Sequence, residues 1–231
     1  MRKILNGFLT GNQLKIIAML AMTFDHIGVQ ILTENELLRI IGRLAFPIFA
    51  YMIAEGSQYT RNRKRYLITL AGIGMLCQTV YFFVSESLYQ CIFVTFSLSV
   101  LLIYAIDNAK EKKNALNIIF LILAMIFVYV VAEILPDVLK NTDFEIDYGL
   151  WGIMLPVFVY LGSDKMKKLL LFIVGVSMVA AYYGGIQWFS LFSVLLIACY
   201  NEKRGKVNMK YLFYIYYPLH LAVIYGVSTF I

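Results

Sequence analysis

The chain is predicted to be all-α, a polytopic bundle of transmembrane helices. Three observations carry this expectation: 61% of the 231 residues are hydrophobic, only 15% are charged, and the mean hydropathy is +0.76. A soluble domain carries about 25% charged residues. Apolar runs recur from residue 14 to the C-terminus, with no polar block large enough to form a second domain. One integral membrane domain over residues 1–231 is expected, in a cell (plasma or inner) membrane, with the lipid bilayer as its surroundings.

Nine hydrophobic segments run over about 14–32, 37–55, 66–84, 91–106, 115–134, 148–162, 169–182, 186–200 and 212–230. Several fall short of the ~20 residues that cross a bilayer as a helix, the sixth to eighth most of all. Gly149, Gly152 and Pro156 in the sixth, and Gly184-Gly185 before the eighth, predict irregular or partly re-entrant helices there. The opening Met1-Arg2-Lys3 before an apolar run resembles a secretory signal. That run contains Asp25 and His26 and has no small-x-small cleavage site, so a retained first span is expected.

The basic residues set an orientation. Arg2, Lys3 and Lys15 precede or enter the first segment, and Arg61, Arg63, Lys64 and Arg65 follow the second. Lys110, Lys112 and Lys113 follow the fourth, Lys165, Lys167 and Lys168 the sixth, and Lys203, Arg204, Lys206 and Lys210 the eighth. These are 17 of the 20 basic residues, whereas the alternate loops hold only Lys140. The positive-inside rule then predicts about nine spans with a cytoplasmic N-terminus. It also accounts for the net charge of +6 without nucleic acid.

Arg39 and Arg43, inside the second segment, are the basic residues left over. Both histidines, His26 and His220, are also within spans, and ionisable groups at that depth usually serve transport, proton movement or chemistry. With a rise of about 1.5 Å per residue, His26 and Arg43 each lie roughly 9 Å below the outer interface of an antiparallel hairpin closed by Thr33-Glu34-Asn35-Glu36. Arg39 is one turn from Arg43 on the same face. Lys15 and His26 are eleven positions apart and share a face. Asp25 lies about 100° round the helix from His26, where Arg39 or Arg43 is its natural partner. His220, in the last span, lies near the same depth and can line one cavity with His26. The competing explanation of each is packing: Asp25 with Arg43 as a buried ion pair, His26 as an interhelical hydrogen-bonding group, and His220 as a packed residue beside Pro218.

Cys77, Cys91 and Cys199 are odd in number and without a Cys-x-x-Cys, which supports neither a disulfide framework nor a zinc site. No metal is expected.

Several strings resemble the TraX family: Leu14-Lys15-Ile16-Ile17-Ala18-Met19 running into Asp25-His26-Ile27-Gly28, then Leu38-Arg39-Ile40-Ile41-Gly42-Arg43-Leu44-Ala45-Phe46-Pro47 with Glu55-Gly56 and Tyr59-Thr60-Arg61-Asn62-Arg63. Asp147-Tyr148-Gly149 and Lys210-Tyr211-Leu212-Phe213-Tyr214-Ile215-Tyr216-Tyr217-Pro218-Leu219-His220 resemble it as well. The resemblance implies a polytopic acyltransferase, in a family whose namesake N-acetylates a conjugative pilin. The wider class of membrane acyltransferases draws acetyl groups from cytoplasmic acetyl-CoA. In that class an Arg, ten residues and a His recur in the first span, where this chain has Lys15 and His26.

On that resemblance, acetyl-CoA is the co-substrate, its phosphates meeting Lys15 and Arg61, Arg63 or Lys64. The acceptor is a peptide or pilin-like amine that enters past Arg39, or alternatively an envelope glycan or lipid. His26 is the general base, Arg43 or Tyr217 stabilises the oxyanion, Asp25 orients Arg43 or His26, and His220 is a second acid/base. A non-enzymatic transporter or assembly protein is the rival expectation.

Overall fold

The computed structural model describes residues 7–206 and 209–230. Its helices in chain order are α1 (Gly11–Gln30), α2 (Glu36–Gly42), α3 (Ala45–Tyr59), α4 (Arg63–Ser85), α5 (Ile92–Lys112) and α6 (Ala115–Tyr129). After a π-helical turn over Val130–Ile134 come α7 (Leu135–Val138), α8 (Gly149–Leu161) and α9 (Lys165–Tyr183). A 3-10 helix over Gly185–Phe192 then leads into α10 (Ser193–Ala198), and α11 (Lys210–Ser228) is last. Among the described residues there is no strand, only two isolated bridges, Leu9 with Tyr200 and Gln90 with Ile146. All nine apolar segments are helical along most of their length. Among the described residues, five helical stretches are long and apolar enough to cross a membrane: Glu36–Tyr59, Arg63–Ser85, Ile92–Lys112, Ala115–Val138 and Lys165–Tyr183. Arg2 and Lys3 of the orientation signal lie outside the described residues.

Local chemistry sets the ends and the breaks. Thr10 closes a capping box with Gln13 ahead of α1, and Asn62 and Asn114 accept from the N–H groups of Arg65 and Asn117 to start α4 and α6. The break between α2 and α3 falls four residues before Pro47, whose missing N–H leaves the Arg43 carbonyl without its helical donor. Pro136 stands in the same relation to Ala132, and the helix there loosens into the π turn. Gly184 and Gly185, with φ of 65° and 50°, adopt the left-handed backbone that separates α9 from the 3-10 helix.

The residues form two compact units, the first drawn from Met1–Met52 and Leu169–Ile231, the second from Ile53–Lys168. In the first, Tyr51 is fully buried with its ring edge-on to Phe172 (5.5 Å) and Tyr200 (6.0 Å). The start of α1 is tied to the 199–205 segment by backbone bonds from Leu9 to Cys199, Gly11 to Lys203 and Asn12 to Arg204.

In the second unit α5 packs against α4, α6 and α8. The buried Ser99 hydroxyl donates to the Ile153 carbonyl (2.8 Å). Loop 86–91 is clasped to 143–148: Gln90 and Asp147 exchange backbone bonds with Glu145 and Gln90, and the Tyr89 hydroxyl donates to Asp147 (2.7 Å). Asp143 accepts from the Ser87 hydroxyl and the Leu88 N–H, and these donors hold its carboxyl below the usual carboxylate range.

One basic residue of the orientation signal turns out not to be a surface charge. Lys168 is only 4% exposed, and its ammonium donates to Glu55 (2.5 Å) and Gln58 (2.7 Å). Sequence position alone had made it part of a solvated loop cluster. A buried cation of this kind needs a paired anion, and Glu55, 6% exposed, supplies it.

Candidate functional site

In the first unit α1 lies against α2 on one side and α11 on the other. The 100° step between Asp25 and His26 sends one residue to each neighbour.

Asp25 meets α2. Its carboxylate receives a guanidinium N–H of Arg43 and lies 3.5 Å from Nε of Arg39. Arg43 also donates from Nε to the Arg39 carbonyl (3.3 Å) and from Nη1 to Oε1 of Gln187 (3.2 Å). Close approach of the two helices depends on glycine: a Cβ on Gly42 would sit 2.3 Å from the Asp25 Cβ and 2.4 Å from its carboxylate. Gly42→Ala should therefore force Asp25 off Arg43 and cost about 1–3 kcal/mol, the usual range for an overpacked core. Unfolding of the purified variant in detergent measures this.

His26 meets α11. Its ring centroid is 5.1 Å from that of His220, with the planes tilted by 59°. The Thr23 hydroxyl is hydrogen-bonded to the Tyr216 hydroxyl one turn away. At the other end of the same seam the Lys15 ammonium sits over the Phe213 ring, 4.9 Å from its centroid. Lys15, Thr23 and His26 thus share the face that spacing assigned to Lys15 and His26, and α1 and α11 run parallel.

His220 is held by its own helix. Nδ1 lies 2.9 Å from the Tyr216 carbonyl, which only accepts, so Nδ1 carries the hydrogen and Nε2 keeps its lone pair. The Tyr216 ring stacks on the imidazole at 5.2 Å and 7°, and the Tyr217 ring stands 5.6 Å away at 66°. His220 is 6% exposed, and Nε2 is buried without a hydrogen-bond partner. His26 is half-buried.

The remaining predicted residues, Arg61, Arg63 and Lys64, belong to the second unit. Arg61 and Lys64 are exposed. Arg63 is paired with Asp107 (2.7 Å), which also accepts from the Tyr160 hydroxyl (2.6 Å), and stacks over Tyr104 at 5.3 Å.

Gln187, Ser190 and Ser193 were missed by sequence reasoning. They recur every third residue, the period of a 3-10 helix, so they share one face. They are 4%, 0% and 0% exposed, whereas Trp188, Phe189 and Phe192 between them, and Leu195 after them, are exposed. Gln187 Nε2 and both hydroxyls are buried without hydrogen-bond partners. A test of this apolar segment at period 3 rather than 3.6 finds the stripe. Among the described residues no three His, Cys, Asp or Glu side chains are grouped to hold a metal.

These helices and their buried charges define a helical membrane protein with ionisable groups gathered between α1, α2 and α11. The chain belongs to the TraX protein family, whose model matches residues 10–228. It is also similar to a probable fimbrial assembly protein, FimC of serogroup H1, from Dichelobacter nodosus, at 26% identity over 253 aligned positions covering 95% of this chain and 96% of the relative. An uncharacterised protein of Rickettsia prowazekii (strain Madrid E) is 42% identical over 55 residues, 24% of this chain and 22% of that protein. No solved structure matches the chain.

Proposed function

We propose that this protein is a membrane-embedded acetyltransferase that moves an acetyl group from cytoplasmic acetyl-CoA to an acceptor amine. The single observation that carries the reading is the contact of His26 with His220, whose Nε2 is a buried lone pair without a partner. Family membership supports it. The fimbrial assembly role in the name of the Dichelobacter nodosus relative supports a pilin-like or other exported peptide as acceptor.

His26, the more accessible ring, takes the proton of the attacking amine, and His220 Nε2 is the base beside it that shares the proton. The amine nitrogen bonds to the thioester carbonyl carbon, the C–S bond breaks, and the CoA thiolate leaves with the proton. Arg43, fixed by Asp25 and Gln187, or the Tyr217 hydroxyl stabilises the oxyanion. Lys15 meets the CoA phosphates at the far end of the α1–α11 seam, and Arg39 borders the acceptor entrance. The chain crosses the cell membrane about nine times with its N-terminus in the cytoplasm; the parallel course of α1 and α11 is what an odd count requires of first and last spans.

A second reading, a non-enzymatic assembly protein whose buried ion pairs serve packing, is favoured by the name of the same relative. An envelope glycan or lipid as O-acyl acceptor is a variant of the enzymatic reading. Reconstitution of the purified protein with radiolabelled acetyl-CoA and host membranes decides among these. Label is expected in a peptide amine; label in glycan or lipid selects the variant, and no acetyl-CoA consumption sinks the enzymatic reading.

A further inference from the structure

The second unit brings together two cysteines that are fourteen positions apart in the sequence. Cys77 stands on α4 and Cys91 immediately ahead of α5. Both are buried, Cys77 at 4% exposure and Cys91 at 0%. The Cys91 thiol reaches the Gly74 carbonyl of α4 (3.9 Å), one turn before Cys77 and on the same helical face. A Cβ on Gly74 would stand 3.3 Å from the Val94 nitrogen, so the missing side chain lets the start of α5 settle on α4. Cys91 is also fixed from the other direction, because Gln90 exchanges backbone bonds with Glu145 and Asp147. A cysteine sulfur held one turn from a second cysteine on the neighbouring helix gives the two side chains the approach that a disulfide requires.

The connecting loop supplies the second half of the inference. Residues 86–90 contain no lysine or arginine, whereas 110–113 at the other end of α5 contain three lysines. Under the orientation proposed above, on which this inference rests for its compartment, loop 86–90 faces the outer, oxidising side.

We propose that Cys77 and Cys91 form a structural disulfide that staples α4 to the 86–91 and 143–148 clasp. Oxidation precedes docking of α5, while the thiols are still open to an envelope disulfide oxidant. The Cys91 thiolate attacks one sulfur of the oxidant's disulfide and releases the other. The Cys77 thiolate then attacks the Cys91 sulfur of the mixed disulfide, and the oxidant leaves as a dithiol carrying both electrons and two protons. Closure of the α4–α5 packing afterwards shields the bond from reductants. Cys199 is left as the free thiol.

Alkylation during lysis tests this on the full-length protein taken from its membranes. After denaturation without reductant, intact mass should show one alkylated cysteine of the three, and all three after reduction. Cys77→Ser should show two without reduction. Three alkylated cysteines in the unreduced wild-type chain overturn the disulfide, whichever side the loop occupies. Orientation is read separately from Ser85→Cys in a Cys77→Ser/Cys91→Ser/Cys199→Ser background, labelled in intact cells by a membrane-impermeant maleimide. Labelling there together with free Cys77 and Cys91 sinks the disulfide alone; absence of labelling that appears only after permeabilisation sinks the orientation.

Discussion

Alanine in place of His26 should lower acetyl transfer at least ~100-fold, the scale on which a lost general base is felt, or about 2.7 kcal/mol of transition-state stabilisation. The expectation follows from what the ring touches and what it leaves alone. His26 faces His220 across 5.1 Å, and among the described residues no hydrogen bond to the protein occupies its ring. The contacts that hold α1 in place come from its neighbours: Asp25 to Arg43 on one side, Thr23 to Tyr216 on the other. Truncation at 26 therefore removes a chemical group while both helix contacts remain, and the variant should insert and fold. Transfer of label from acetyl-CoA, compared with the melting profile of the same preparation, separates the two effects. Near-normal transfer by a folded variant would remove His26 from the chemistry and leave the two imidazoles as a packing contact.

The hairpin that carries this group was legible in the sequence to an unusual degree. Equal depths of His26 and Arg43, the eleven-residue spacing to Lys15 and the 100° offset of Asp25 are all consequences of helix geometry. The structure accordingly pairs Asp25 with both arginines and puts Lys15 on the α11 seam. The partner of His26 was not legible in the same way, because a sequence gives the depth of His220 but not which helices touch. The Gln187-Ser190-Ser193 stripe escaped because apolar periodicity was read at 3.6 residues in a segment that winds at 3. Lys168 escaped because charge near a helix start looks like a solvated loop, and only the packed position of Glu55 shows the ammonium to be buried. Span number is the least legible feature: α8 and the 3-10 helix with α10 are apolar but short, and among the described residues length and apolar composition together admit five stretches as full crossings.

Asparagine in place of Asp25 should cost about 3–5 kcal/mol of stability, because it leaves a buried guanidinium without its anion. The Arg43 and Asp25 side chains are 11% and 17% exposed, whereas Arg39, at 31%, keeps enough contact with its surroundings to remain solvated by itself. The burden of the change therefore falls on Arg43, whose other acceptors include the neutral oxygens of Gln187 and of the Arg39 backbone. Removing both charges in Asp25→Asn/Arg43→Gln should recover much of the loss, since an ion pair taken out together leaves no uncompensated charge. Denaturant unfolding of the two single variants and the double variant measures the coupling; equal additive losses would show that the pair does not interact. The same three proteins separate packing from chemistry. If stability returns in the double variant while acetyl transfer does not, Arg43 acts on the reacting carbonyl and Asp25 is the residue that positions it. If both return, the ion pair only fastens α1 to α2, and the oxyanion is stabilised from the α11 side, which carries Tyr217.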